Sequence, residues 1–203
     1  MAFIEPISLR GKHATLEPLA GTHHDELNAA AADGALWNLW YTFVPGPDKM
    51  QDYLDAALAM RAQAGAMPFV IRDNASGRVV GSTRYFNVDA VHRRLEIGHT
   101  WHAASAQRTA INTECKLMLL THAFESLECI AVEFRTHWMN HQSRAAIARL
   151  GAKQDGVLRS HQRMPDGSLR DTVVFSIIQS EWPTVRRHLQ YRLDRPGGGT
   201  KTC

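Results

Sequence analysis

One stretch constrains this chain more than any other: residues 95–136, LEIGHTWHAASAQRTAINTECKLMLLTHAFESLECIAVEFRT. Its opening, residues 95–101, is short and rich in β-branched, aromatic and apolar residues, the composition of a strand. Small and polar residues follow at 102–107. From there apolar side chains return at helical spacing, at Ile111, Cys115, Met118, Leu119, His122 and Ala123. Leu117, Leu120 and Phe124 widen that face, as expected of a helix buried on more than one side. A second apolar run at 130–134 reads as another strand. Strand, loop, helix and strand in this order form a crossover that normally joins parallel strands.

The loop carries the chemistry. Gln107-Arg108-Thr109-Ala110-Ile111-Asn112 stands where a strand hands over to a helix. The first turn of a helix leaves N–H groups unpaired, and its dipole favours negative charge there. Arg108 adds a fixed cation whose fork of donors suits phosphate, and Thr109, Asn112 and Thr113 add polar side chains. The segment reads as a diphosphate cradle on local physics. An ordinary capped helix with a surface arginine is the competing reading.

The segment resembles the acetyl-coenzyme A core of the GCN5-related N-acetyltransferases (GNAT), whose loop is typically Gln/Arg-x-x-Gly-x-Gly/Ala. Thr113-Glu114 and Lys116-Leu117 resemble the ribosomal-protein (RimJ/RimL-like) branch of that family. Ala110 stands where the family usually has Gly, and Asn112 where Gly or Ala is usual; a Cβ at 110 limits backbone conformation and close approach to phosphate. The resemblance covers about residues 9–193. It implies an α/β (α+β) GNAT fold. The expected sheet is mixed and mostly antiparallel, about seven strands flanked by helices. The strands at 95–101 and 131–136 are its parallel pair, splaying near 98–101 and 134–136 to admit the cofactor. The implied cofactor is acetyl-coenzyme A as co-substrate, held by Thr100, Trp101, His102, Gln107, Arg108, Thr109, Ala110, Ile111, Asn112, Thr113, Asn140 and Ser143.

Elsewhere the pattern is that of one domain over 1–195. Residues 13–19 alternate as a first strand ending at Pro18. Thr22 is placed to cap a helix through about Ala32, and Asp48 one from Lys49 to about Ala64, ended by Gly65. Residues 69–73 and 78–86, joined by the turn 74–77, read as a hairpin. After residue 136, Asn140 caps a short helix that closes in Leu150-Gly151, and Asn140-x-x-Ser143 again resembles the family pattern. Residues 156–161 and 171–177 form a second hairpin around Pro165-Asp166-Gly167, and a last helix runs from Glu181 to Leu193. Residues 196–203 read as a disordered tail.

Between the first two helices lies the run Leu36-Trp37-Asn38-Leu39-Trp40-Tyr41-Thr42-Phe43-Val44. Large aromatics at this density read as core or lid packing, or as one wall of an acceptor groove. The resemblance favours the groove, with Trp37, Trp40, Tyr41 and His99 as substrate contacts.

The 203 residues suffice for one domain with a proper core, and the formal charge of +3 suits an anionic cofactor. Nucleic acid would call for a clustered basic stripe. No apolar run reaches membrane-span length, and the N-terminus lacks the form of a signal peptide. The three cysteines have no metal-like spacing and no even pairing, which points to a cytoplasmic protein with reduced thiols. Cys115 reads as a small core residue. His99-x-x-His102 and His137-x-x-x-His141 lack further ligands at suitable spacing, so no metal is expected. Dimers are common among similar proteins, so the resemblance implies a homodimer, although the sequence itself leaves the oligomeric state open.

Acetyl transfer from a thioester to a primary amine needs a base, a carbonyl polariser and a proton source for the thiolate. Glu96, between Leu95 and Ile97, is the candidate base, its pKa rising if it is half-buried. A cross-strand pairing with Arg93 or Arg94 is the alternative. His99 competes by its ordinary pKa, yet a regular strand cannot aim residues 96 and 99 into one groove; a β-bulge would change that. Ser143 is the candidate donor to the departing sulfur, a role that the resemblance implies. No Tyr lies between 136 and 151 to take that role. The acceptor is a protein N-terminus or a small-molecule amine; Arg93, Arg94, Arg159, Arg163 and Arg170 read either as a hint of an acidic or carboxylate-bearing acceptor or as solvated surface. A catalytically silent module that binds coenzyme A or a protein partner is the second reading. A nucleotide-binding protein is the third, although no Gly-x-x-x-x-Gly-Lys-Ser/Thr run exists.

Overall fold

The computed structural model describes residues 3–195. The tail read at 196–203 lies outside the described residues. Strands and helices follow in the order β1 (Leu9–Arg10), β2 (Ala14–Pro18), α1 (His24–Ala32), α2 (Met50–Ala62), β3 (Ala66–Asp73), β4 (Val79–Asp89), β5 (Arg94–His102), α3 (Ala110–Thr121), β6 (Ala131–His137), α4 (His141–Ala148), β7 (Lys153–Arg163), β8 (Leu169–Ile178) and α5 (Trp182–Asp194). All eight strands join one sheet in the order β1-β2-β3-β4-β5-β6-β8-β7. Every neighbouring pair is antiparallel except β5 with β6.

The strand beyond the expected seven is β1, which lies ahead of the first strand expected at residues 13–19. Its hairpin is held from below by α3. The buried Glu114 carboxylate accepts the backbone N–H groups of Lys12 (2.8 Å), His13 (2.6 Å) and Ala14 (2.8 Å). A charged acceptor for three peptide donors can fix a strand too short to fix itself.

Alternation along β4 sorts the helices onto the two faces. Tyr53 on α2 donates its hydroxyl to Ser82 Oγ (3.1 Å), whereas Tyr85, three residues on, donates to the Leu119 carbonyl of α3 (2.6 Å). The core fills both sides, with Leu54, Phe69 and Leu27 among the fully buried residues, as are Leu119, Phe134 and Ile97.

Two expected helix caps are absent. Thr22 does not cap α1; instead His23 Nδ1 accepts the Ala20 N–H (3.0 Å), and the chain enters α1 through a 3₁₀ turn, Gly21–His23. Asp48 lies inside another such turn, Pro47–Lys49, ahead of α2, with no cap bond. At the far end of α2 the left-handed residue is Ala64 (φ 55°), not Gly65, whose N–H reaches the Met60 carbonyl (3.0 Å).

Candidate active site

The parallel ladder between β5 and β6 is brief. It runs Arg94↔Ala131, Leu95↔Val132, Glu96↔Glu133 and stops. Both strands continue beyond it, to His102 and His137, and a cleft opens between them. On its other edge β5 carries a β-bulge. The register passes from Arg84↔Gly98 to Ser82↔Trp101, so Thr83 faces both His99 and Thr100. His99 takes a left-handed φ of 49° to fit. The bulge turns His99 to the face that carries Glu96, and the parity conflict in the sequence disappears. The Phe86 ring packs edge-on to His99, 4.9 Å between centroids. That ring lies over Gly98, where a Cβ would come within 2.5 Å of it.

Glu96 is 3% exposed. Asn87 Nδ2 donates to its Oε2 (3.0 Å), and Arg135 Nε stands 3.5 Å away. Burial dominates and lifts its pKa to about 7, against the opposing pulls of Asn87 and Arg135. Arg93 and Arg94 are not its partners; they pair with Glu128 and Glu133. His99 is open to the cleft, and desolvation, then the charges of Arg84 and Arg170, depress its imidazole well below the ordinary value. So weak a base takes up a proton poorly near neutral pH, which leaves Glu96 as the better-tuned group.

Where the cleft meets α3, Thr109 caps the helix, its Oγ1 accepting the Ile111 N–H (3.3 Å) and donating to the Ala106 carbonyl (2.7 Å). The N–H groups of Arg108, Thr109 and Ala110 have no protein acceptor among the described residues. The left-handed position of the loop is Arg108 (φ 60°), and Ala110 is simply the first residue of α3. The Cβ at 110 therefore meets none of the backbone strain expected from the missing Gly. One turn further in, Asn112 Oδ1 pairs with His102 Nε2 (3.1 Å) and Lys116 Nζ donates to Thr100 Oγ1 (2.7 Å). Burial lowers the Lys116 pKa to about 8. On α4, Asn140 Oδ1 accepts the Ser143 N–H (2.9 Å), and the Ser143 hydroxyl has no protein partner among the described residues.

These groups line one cavity of about 980 Å³ that passes through the sheet at the splay. It takes in Glu96, His99, Thr100, Trp101 and His102 from β5, then Gln107, Arg108, Thr109, Asn112 and Thr113, then Asn140 and Ser143, with Tyr41 at the other end. Ala110 and Ile111 line a separate hollow of about 360 Å³ with Lys12, His13 and Arg78. Ile111 is itself a core residue, and its N–H is already taken by Thr109. Trp37 is not in the cavity wall: its side chain packs beside Gly46 and against the core. Trp40 is not there either; it is 55% exposed and edge-on to His137, 5.1 Å between centroids. Leu39, Phe43 and Val44 line the cavity from that loop.

Tyr53, Lys116 and Arg135 are among the lining residues that the sequence does not single out for the site. Trp101 Nε1 donates to the Tyr53 hydroxyl (3.4 Å), which ties α2 to the cleft. Among the described residues no group of three or more His, Cys, Asp or Glu is placed to hold a metal ion, and no helix is long and apolar enough to cross a membrane.

Comparison with known proteins identifies the family to which this fold and cleft belong. The sequence profile of the acetyltransferase (GNAT) domain matches residues 13–153. The chain belongs to the GNAT acetyltransferase family. A Bacillus subtilis (strain 168) protein, YdaF, provisionally named a ribosomal N-acetyltransferase, is 33% identical over 106 residues; the match covers 52% of this chain and 57% of that protein, so it spans little more than half of the relative. The crystal structure of a GCN5-related N-acetyltransferase from Brucella melitensis superposes with a TM-score of 0.85 at 28% identity, covering 97% of this chain and 91% of that one. RimJ of Mycobacterium smegmatis, solved in complex with CoA-disulfide, shares the fold at a TM-score of 0.77 and 22% identity, covering 92% of this chain and 94% of that one.

Proposed function

We propose that the protein is an acetyl-coenzyme A-dependent N-acetyltransferase that acetylates a primary amine by direct attack in a ternary complex. The observation that carries this reading is the cavity of about 980 Å³, which joins the unpaired N–H groups of Arg108 and Thr109 to a buried carboxylate with a pKa of about 7. The residues present fit the cofactor. Arg108 and the free N–H groups of the α3 loop supply donors for a diphosphate, and the unpaired β5 edge around Thr100 to His102 suits an amide-bearing arm. Acetyl-coenzyme A supplies the thioester carbonyl that the amine attacks. Near neutral pH Glu96 is deprotonated in part, and it accepts the proton of the attacking amine directly or through one water. The Asn87 hydrogen bond, and then the charge of Arg135 3.5 Å away, keep the carboxyl pKa from rising further. The Ser143 hydroxyl, held on α4 by the Asn140 cap, donates to the departing sulfur. His99 and Tyr41 border the amine's approach, with Phe43 at the rim. The two described cysteines, Cys115 and Cys129, are free and buried, which accords with a reducing cytoplasmic setting.

Thiol release with acetyl-coenzyme A and a panel of amines, including peptides with free N-termini, tests the reading. Glu96→Gln and Ser143→Ala should lose turnover while keeping cofactor binding. Cofactor binding without turnover on any amine, in wild type as in the variants, would leave the catalytically silent module instead.

A further inference from the structure

The acceptor end of the cavity holds a guanidinium with no counter-ion. Arg170 and Thr172 stand two apart on β8 and both line the cavity, whereas Asp171 between them points away. Asp171 is occupied there by Arg159 Nε (2.6 Å) and the Ser160 N–H (2.7 Å). Arg170 Nε donates to Thr172 Oγ1 (3.0 Å), and its guanidinium carbon lies 5.8 Å from the centre of the Phe43 ring. Its two terminal nitrogens find no protein acceptor, and it makes no ion pair, among the described residues. Arg135 is different: it is shared between Glu133 (2.9 Å) and Glu96 (3.5 Å). Arg170 lies close enough to Glu96, His99 and His137 for its charge to be felt at all three. Glu96 is the one carboxylate lining the cavity among the described residues, against Arg108, Lys116, Arg135, Arg149, Arg170 and Arg192. A half-buried guanidinium with an open fork is shaped for a planar oxyanion, and leaving it unmatched is unfavourable.

We propose that the acceptor carries a carboxylate close to the amine that is acetylated, and that the Arg170 fork binds this carboxylate while Glu96 faces the amine. The proposal rests on the N-acetyltransferase reading above. The carboxylate orients the amine rather than reacting, so Arg170 is a specificity residue. Free amino acids and peptides that begin with an acidic residue share this chemistry, and the test separates them.

The experiment is thiol release from acetyl-coenzyme A with matched amines. One arm pairs L-serine and β-alanine with their amides. The other pairs C-terminally amidated peptides that begin Asp-Ala-Ala or Asn-Ala-Ala. The carboxylate member of at least one arm should be preferred about tenfold or more in kcat/KM, and the arm that responds names the source. Arg170→Gln should bring that ratio close to one, a change of about 10- to 100-fold, the range of a lost hydrogen bond to a charged group. Arg170→Lys should fall between. The ratio is taken within one protein sample, so partial unfolding of a variant does not move it. Equal use of the amides, a preference that survives Arg170→Gln, or acetyl-coenzyme A binding without thiol release on any carboxylate-bearing amine overturns the proposal. Failure to bind acetyl-coenzyme A overturns the acetyltransferase reading and the proposal with it.

Discussion

Glu96→Gln should make the protein more stable and less active at the same time. A carboxyl that ordinarily titrates at 4.5 titrates in the fold at about 7, chiefly because it is buried. Between those values the native protein keeps a proton that the unfolded chain has released, so stability falls as pH rises. The interval corresponds to about 3 kcal/mol, at 1.36 kcal/mol per pH unit. That deficit is absent below the unfolded value, grows from there to pH 7 and is complete above it. Gln matches the shape, accepts from Asn87 through its amide oxygen and carries no charge to desolvate. The variant should therefore exceed wild type by about 2–3 kcal/mol at pH 8, or roughly 5–10 °C in Tm for a domain of this size, and match it near pH 4. Thermal melts and urea titrations across pH 4–8 read this directly. Thiol release by the variant should fall by about 10²–10⁴-fold, the range for a lost acid–base group. In wild type, kcat/KM should rise with pH through an inflection at about 7, and the variant should lack that limb. A variant less stable than wild type at pH 8, or a stability difference independent of pH, would refute the reasoning.

Lys116 carries the mirror-image penalty. Burial depresses its pKa from 10.5 to about 8, so below pH 8 the fold confines a charge the unfolded chain would hydrate. Lys116→Met should stabilise by about 2–3 kcal/mol at pH 7, with the gain fading between pH 8 and 10.5; denaturant titration at both ends of that window checks it. Glu114→Gln removes one of two oxygens that hold three peptide N–H groups at the β1–β2 hairpin. It should lower stability by about 2–4 kcal/mol, and amide exchange should rise first at residues 12–14.

The strands and helices of the site were legible because their signals are local. The apolar run before the loop, the helical spacing after it and the Asn140 cap each lie within one element, and each is present. What pairing across the chain decides was not legible. The bulge that aims His99 exists because Thr83, on another strand, faces two residues at once. Lys116 reads as a stray cation on an apolar helix, since Thr83 and Thr100, which receive it, lie 33 and 16 residues away. Ala110 drew attention as a missing glycine, yet the left-handed turn falls on Arg108, two residues earlier. The resemblance implies Trp37 and Trp40 as substrate contacts, but side-chain direction decides lining. The loop turns Tyr41 and Phe43 to the cavity, Trp37 to the core and Trp40 outward. In sequence Arg170 is one of five arginines that read either as an acceptor hint or as solvated surface; what sets it apart, its fork without a protein partner among the described residues, depends on pairing across the chain.

The central claim is that the start of α3 is a working diphosphate cradle. Calorimetric titration of acetyl-coenzyme A into wild type and Arg108→Ala tests it most directly. Arg108 is exposed on the loop and makes no ion pair among the described residues, so its loss should leave the fold intact. Saturable one-to-one binding to wild type, weakened about 10- to 100-fold by Arg108→Ala, is the expected result. Equal binding to both proteins would contradict the cradle, and absence of binding to wild type would also remove the ground for the acetyltransferase reading of this chain.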